Sequence, residues 1–256
     1  MAGPLSGAAT AKGSSLKFVD LAHEFVNETR LFGDLIARGN PSAPVRTCPG
    51  WTLTQLLKHV GRGNRWAAEI VLHRHQEAID PSTVPEGKPP RDLPDAIEWL
   101  HAGALKLNDA VAEEHDAVVW TFTGPQPASW WVRRRLHETV VHRADAAIAV
   151  GTKFVVDMVV GADTISEWLD LATNRGGVPW DTIHLHAVDS DLNTTGEWTI
   201  ADGLWSHEHA RGDVALRGHV TDLLLALTRR KAVGDTDLEL FGDEAVWQSW
   251  LDATPF

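Results

Sequence analysis

A glutamate and a histidine stand four residues apart within the segment Leu136–Asp145: Glu138 and His142. On a helix this spacing separates two side chains by roughly 40° around the axis and by about 6 Å along it. Both side chains can then reach one ion, and carboxylate–imidazole pairs of this kind hold metal ions in helical bundles. His137 is a poorer partner for His142, because it faces about 140° away on the same helix. The spacing makes Glu138 and His142 candidate metal ligands, although an exposed surface pair has the same pattern.

A third ligand has to come from another helix. His59 is the candidate, because it lies in the middle of an apolar helical segment beside Leu56, Leu57 and Val60. The alternative is a histidine that only packs in or beside the core. Three protein ligands leave the fourth position of a tetrahedral zinc site open, which is typical of catalytic rather than structural zinc.

The elements that position these residues follow from the spacing of apolar side chains. It predicts five helices in the first part of the chain, at residues 16–38, 53–71, 95–114, 129–150 and 158–173. Thr52 and Gln55 have the spacing of a capping box at the start of the second helix. We expect a disordered tail at residues 1–15 and a metal-binding helical bundle at residues 16–175.

The pattern changes after residue 175. Residues 182–188 alternate with period two, as in a strand that is half buried on one face, and two more strands are predicted at residues 197–200 and 214–217. Helices follow at residues 220–228 and 247–251. The predicted fold class is therefore α+β, with a helical bundle first and a small α+β domain at residues 176–256.

Composition excludes several classes of protein. The formal net charge of -12 argues against a general nucleic-acid binder, which normally carries a basic patch. No apolar segment approaches the roughly 20 residues that cross a bilayer, and the first residues lack the apolar core of a secretory signal. Cys48 is the single cysteine, so no internal disulfide forms. We expect a cytoplasmic monomer or weak dimer whose partners are small molecules, without nucleic acid or membrane.

Two further groups near the candidate ligands have both a functional and a structural interpretation. Cys48 is either a nucleophile or a small buried residue, and the second is favoured because no base lies nearby in the sequence. The run Arg133–Arg135 either contacts a thiol cofactor or belongs to a solvated helix face, and the solvated face is favoured.

Four histidines in the second part of the chain also have both a functional and a structural interpretation. His184 and His186 share one face of the first predicted strand, where they either line a cleft or are simply exposed. His207 and His209 lie in a predicted loop, where they either form a second site or have no special role.

Three motifs, VRTCPGWT at residues 45–52, LLKHVGR at residues 56–62 and HETVVHR at residues 137–143, share their order and separation with a known family. Together they resemble the mycothiol-dependent maleylpyruvate isomerase family. The later segment VALRGHVTDLLL at residues 214–225 is similar to the C-terminal domain of that family. The resemblance covers most of residues 16–256 and is weak around residues 175–212.

The resemblance implies a DinB-like four-helix bundle and a small α+β domain similar to sterol carrier proteins. It implies one divalent metal ion, for which zinc is expected, on His59, Glu138 and His142. It also implies mycothiol, a low-molecular-weight thiol, as cosubstrate. The implied function is a metal-dependent isomerase or thiol S-transferase that acts on a small electrophile such as maleylpyruvate. The alternative is a non-catalytic metal- or small-ligand-binding protein of the same fold.

An essential arginine from the C-terminal domain is also implied by the resemblance. Arg229 and Arg230 are the candidates, and Arg217 stays open. Cations at a helix C-terminus also interact favourably with the helix dipole, which gives Arg229 and Arg230 an alternative role. The chain departs from the family in its longer N-terminal tail and at Thr228–Arg230, where a glycine is expected before the arginine. These departures bear on the substrate more than on the metal.

Overall fold

Long helices form the first part of the protein, seen in a computed structural model that describes residues 18–114, 116–176 and 181–254. They are α1 (Phe18–Arg38), α2 (Leu53–Leu72), α3 (Leu93–Glu113), α4 (Ser129–Ala149) and α5 (Met158–Asn174). The five predicted helices are thus confirmed, with small differences at their ends. The tail predicted at residues 1–15 lies outside the described residues.

The first four helices pack as a bundle in which α2 lies mainly against α3 and α1 mainly against α4. Their apolar faces meet in a core that includes Phe25, Leu56, Leu100 and Leu136, and each such side chain contributes about 1.5–3 kcal/mol by its burial. The predicted capping box begins α2: the Thr52 hydroxyl accepts from the Gln55 backbone, and the Gln55 side chain accepts from the Thr52 backbone.

A five-stranded sheet follows the helices, and in spatial order its strands cover residues 204–206, 197–201, 183–187, 214–218 and 239–242. Its strands are β3 (Ile183–Ala187), β4 (Glu197–Ala201), β5 (Leu204–Ser206), β6 (Val214–Gly218) and β7 (Glu239–Gly242); the short pair β1 (Val118–Val119) and β2 (Gln126–Pro127) lies between α3 and α4. Strands β3 and β6 are parallel, and the other neighbours are antiparallel. The three predicted strands are confirmed, whereas β5 and β7 were not predicted.

Two helices complete the second part: α6 (Val220–Leu227) and α7 (Glu244–Ala253). Helix α6 packs against α5, and two tryptophans of the sheet bond to α5 as well. Trp198 Nε1 donates to Ser166 Oγ at 2.9 Å, and Trp205 Nε1 donates to Asp170 Oδ1 at 3.0 Å. The predicted α+β class is confirmed. The division into two domains near residue 175 stays a prediction, since α5 contacts both parts.

None of the helices in the described residues combines the length and the apolar character that crossing a bilayer requires.

Candidate metal centre

Helices α2 and α4 bring His59, Glu138 and His142 together. His59 Nε2 donates to Glu138 Oε1 at 2.8 Å, and the ring centroids of His59 and His142 are 4.9 Å apart. One ligand atom from each of the three residues lies within 4.8 Å of the other two. The residues nominated by spacing and resemblance are therefore neighbours in space. Their role as metal ligands remains a proposal.

Asp145, which lies one helical turn after His142, fixes the ring of that histidine. His142 Nδ1 donates to Asp145 Oδ2 at 2.7 Å, and the Asp145 side chain is fully buried. Because a carboxylate only accepts hydrogen bonds, Nδ1 carries the proton and Nε2 keeps its lone pair for a metal ion. Burial alone would raise the pKa of Asp145, but His142 and Arg230 outweigh burial and hold that pKa below its ordinary value. Sequence reasoning did not single out Asp145, although a carboxylate three residues after a candidate ligand was a usable signal.

The second candidate ligand on α4 is ionised. Arg135 Nη1 lies 2.5 Å from Glu138 Oε2, and Arg134 Nη2 lies 3.6 Å from the same oxygen. Burial alone would raise the pKa of Glu138, but Arg135, the hydrogen bond from His59 and Arg134 hold it well below its ordinary value. Burial also lowers the pKa of His142, which favours the neutral imidazole. Carboxylate and neutral imidazole are the forms that bind metal ions.

Cys48 lies beside the centre without the properties of a nucleophile. Its Sγ donates to Asp145 Oδ2 at 3.4 Å. Burial, together with the charge of Asp145, raises the pKa of the Cys48 thiol to about 12. The thiolate is the nucleophilic and metal-binding form, so Cys48 is poorly suited to either role. Cys48, His142 and Asp145 also lie close enough to surround an ion, but Asp145 already pairs with Arg230.

The three candidate arginines lie in different places. Arg230 contacts the centre: its Nε donates to Asp145 Oδ1 at 2.9 Å, and its Nη2 donates to Asp145 Oδ2 at 3.1 Å. Arg229 instead donates to the backbone oxygens of Leu251 and Thr254 at the end of α7. Its φ of 60° lies in the left-handed region that favours glycine. Arg217 forms an exposed ion pair on β6. Of the three, Arg230 is the one that reaches the predicted metal centre.

The prediction of a solvated face at Arg133–Arg135 is wrong. Arg133 forms two hydrogen bonds to the Asp163 carboxylate, at 3.0 and 2.9 Å, and Arg134 pairs with Glu167. Both carboxylates belong to α5, which covers this side of α4. Because Asp163 and Glu167 lie on another helix, the local sequence could not reveal these two pairings.

A cavity of about 510 Å³ adjoins two of the three candidate ligands. His59 and Glu138 form part of its wall, Trp51 and Trp66 add aromatic rings, and further lining residues include Lys58, Arg62 and Gln55. The Trp51 ring centroid lies 4.9 Å from that of His59 and 6.4 Å from that of His142. A small molecule in this cavity would therefore lie next to the candidate metal centre.

Comparison with known proteins gives one family and two solved structures. Residues 22–147 match the model described as the mycothiol maleylpyruvate isomerase N-terminal domain. A crystal structure of the mycothiol-dependent maleylpyruvate isomerase is similar with a TM-score of 0.63 and 15% identity, over 94% of this chain and 97% of that one. A histidine-to-alanine mutant with the same description gives a TM-score of 0.63 and 14% identity, over 88% and 93%. No curated protein matches the chain. At these identities the structures show a shared fold.

Proposed function

We propose a function on the basis of family membership. Through its helical residues 22–147, the chain belongs to the mycothiol maleylpyruvate isomerase family. We infer that the protein is a metal-dependent enzyme that uses mycothiol, either to isomerise a small electrophile such as maleylpyruvate or to transfer the thiol to it. The observation that carries the proposal is the convergence of His59, Glu138 and His142, the first two of which line the 510 Å³ cavity. The two similar structures, both described as mycothiol-dependent maleylpyruvate isomerases, support the choice of reaction.

The three residues fit a divalent ion. Two imidazoles and one carboxylate suit zinc and other first-row divalent metals. The single proton between His59 Nε2 and Glu138 Oε1 lies where an ion would bind, and metal binding characteristically releases such protons. A zinc ion with one open position lowers the pKa of a thiol or water bound there. Asp145 orients His142 for the ion, and Arg135 keeps Glu138 ionised.

The adjoining cavity suits a polar thiol and a charged electrophile. Trp51 and Trp66 offer flat apolar surfaces for ring-shaped groups, while Lys58 and Arg62 offer positive charge for a carboxylate. In the isomerase reaction the thiolate adds to a cis double bond, rotation follows about the resulting single bond, and elimination returns the thiol and the trans product. The chain's residues in this scheme bind the electrophile and exclude water around it.

Arg230 has a positioning role in this proposal. Its Nε and Nη2 donate to Asp145, and its Nη1 donates to the Thr228 backbone oxygen at 2.6 Å. These bonds place Arg230 behind Asp145, so that it acts on the centre by keeping the carboxylate ionised and oriented toward His142. The substrate carboxylate is then assigned to Lys58 and Arg62.

The test is an assay of maleylpyruvate isomerisation by the purified full-length chain. We expect activity only when mycothiol and bound metal are both present, and we expect His142→Ala to abolish it. His23→Ala, which alters an exposed histidine on α1, serves as the matched control and should retain activity. Activity without thiol, or after complete metal removal, would overturn the proposal. Stoichiometric metal without thiol-dependent conversion of any electrophile would favour a binding protein.

A further inference from the structure

Three histidines and a glutamate meet on the sheet, in a cluster separate from the helical centre. His184 and His186 lie on β3, Glu197 lies on β4, and His209 lies in the connection from β5 to β6. Alternation along β3 places both of its histidines on one face, and the strand register sets His186 opposite Glu197. One ligand atom from each of the four residues lies within 4.8 Å of the others.

The distances within this cluster resemble those around a tetrahedral ion. Glu197 Oε2 lies 2.6 Å from His209 Nδ1, 3.3 Å from His184 Nε2 and 3.9 Å from His186 Nδ1. Ligands on a tetrahedral zinc ion are roughly 3.3 Å apart, given metal–ligand bonds of about 2.0–2.1 Å. Small side-chain rotations would bring all four atoms to bonding distance of one ion.

His184 presents an unsatisfied acceptor nitrogen to this cluster. The Thr199 hydroxyl donates to the Glu208 backbone oxygen at 2.7 Å, so it accepts from His184 Nδ1, 3.2 Å away. The proton of His184 is therefore on Nδ1, which leaves a lone pair on Nε2. That nitrogen is buried and has no hydrogen-bond partner among the described residues, although the Glu197 carboxylate is close. Two acceptors that face each other repel, and a positive ion between them would satisfy both.

We propose that His184, His186, Glu197 and His209 bind a divalent cation, with zinc the best suited, at a site additional to the helical centre. Four protein ligands fill a tetrahedron and leave no open position, which is the pattern of a structural site. The ion would tie the β5–β6 connection, through His209, to β3 and β4. His207 lies outside the set, because its Nδ1 lies 2.8 Å from the Glu197 backbone oxygen.

The test uses Zn²⁺ alone and the full-length chain carrying His142→Ala, so that the helical centre does not contribute. We expect one equivalent of zinc to remain after gel filtration. Zinc in 100-fold excess over its dissociation constant should raise the thermal midpoint by about 5–10 °C. Adding His209→Ala or Glu197→Gln should remove both the bound equivalent and the thermal shift.

His209 is 73% exposed, so the His209→Ala change leaves the packing of the sheet intact, which circular dichroism would verify. Adding His23→Ala instead should leave the zinc content at one equivalent. The proposal is overturned if the His142→Ala chain retains no zinc, or if its zinc is unaffected by both cluster substitutions. Failure of the helical centre would be separate, since it would appear as unchanged zinc content on going from the parent to His142→Ala.

Discussion

The proton on His142 Nδ1 determines what that residue offers to an ion. Asp145 Oδ2 accepts a hydrogen bond from this Nδ1–H, with 2.7 Å between the two heavy atoms. Arg230 in turn donates two hydrogen bonds to the Asp145 carboxylate. Residues that orient a ligand in this way typically contribute 10–100-fold to metal affinity. The chain Arg230–Asp145–His142 therefore acts as one unit at the residue scale.

Replacement of Asp145 tests this unit. We expect Asp145→Asn to weaken zinc binding at the helical centre by about 10–100-fold, because the neutral amide no longer favours the Nδ1–H form of His142. A competition titration with a chromophoric chelator, in a His209→Ala background, measures the affinity of this centre alone. The matched control is Asp163→Asn, which removes a carboxylate from an ion pair with Arg133. Equal affinities for the Asp145→Asn and Asp163→Asn chains would contradict the role of Asp145.

Asp163 also gives a prediction about pH. Burial alone would raise its pKa, but His137 and Arg133 outweigh burial and lower it. The unfolded chain therefore binds this proton more readily than the folded one. The stabilisation is fully present above the unfolded pKa of about 3.9 and is lost as the pH falls through the folded pKa.

We accordingly expect Asp163→Asn to lower the free energy of unfolding by about 3 kcal/mol at pH 7, the size of a broken buried pair. The loss should be smaller at pH 3, which lies below the unfolded pKa of about 3.9, because the unfolded parent there binds a proton that the folded parent does not. Urea denaturation of both chains at the two pH values measures the difference. A loss that does not change with pH would show that the charge of Asp163 is not what stabilises the fold.

At the scale of the helices, the close packing of α2 against α3 depends on Gly61. A Cβ on Gly61 would lie 2.1 Å from Trp99 Cζ3, so any larger residue displaces the Trp99 ring or moves the helices apart. We expect Gly61→Ala to lower the free energy of unfolding by about 1–3 kcal/mol, as overpacking does. Thermal unfolding measures the change. Gly234→Ala is the control, because a Cβ there meets open space, and a loss as large in Gly234→Ala would refute the packing explanation.

The first two long helices and the three interior strands could be predicted from sequence because each repeats its apolar period. The period of α1 and α2 is visible without knowledge of their partners. Strands β5 and β7 contain three and four residues, which is too few to show alternation. They are strands because β4 and β6 supply hydrogen bonds to them.

In the site too, local spacing could be read from the sequence, whereas contacts between distant segments could not. Glu138 and His142 share one helix, so their spacing alone suggested a common ion, while His59 needed the family resemblance in support. The contacts of Arg230 and Arg133 join distant segments, and no local pattern encodes them. The sequence allowed His184 either to line a cleft or to be exposed. Only the fold shows that His209 lies beside it.

The helices and the sheet are connected across the whole molecule. Arg230, which follows α6, pairs with the fully buried Asp145 of α4, and α5 packs against both α4 and α6. Separation of the two parts would expose apolar faces and leave a buried carboxylate unpaired, which costs about 3–5 kcal/mol for the ion pair alone.

We therefore expect the full chain to unfold in a single cooperative transition. Differential scanning calorimetry should give one peak whose calorimetric and van't Hoff enthalpies agree. Two resolved peaks would show that the parts fold independently and that the contacts of α5 and Arg230 are weak. The same experiment on Arg230→Gln should give a lower midpoint, since this change leaves Asp145 without its cation.

Elemental analysis of the purified full-length protein beside His59→Ala and His142→Ala tests the helical metal centre most directly. Both variants should fold, because neither removes an apolar core residue of α2 or α4. We expect each variant to contain one equivalent of divalent metal less than the parent. The same metal content in the parent and in both variants would contradict a metal centre at His59, Glu138 and His142.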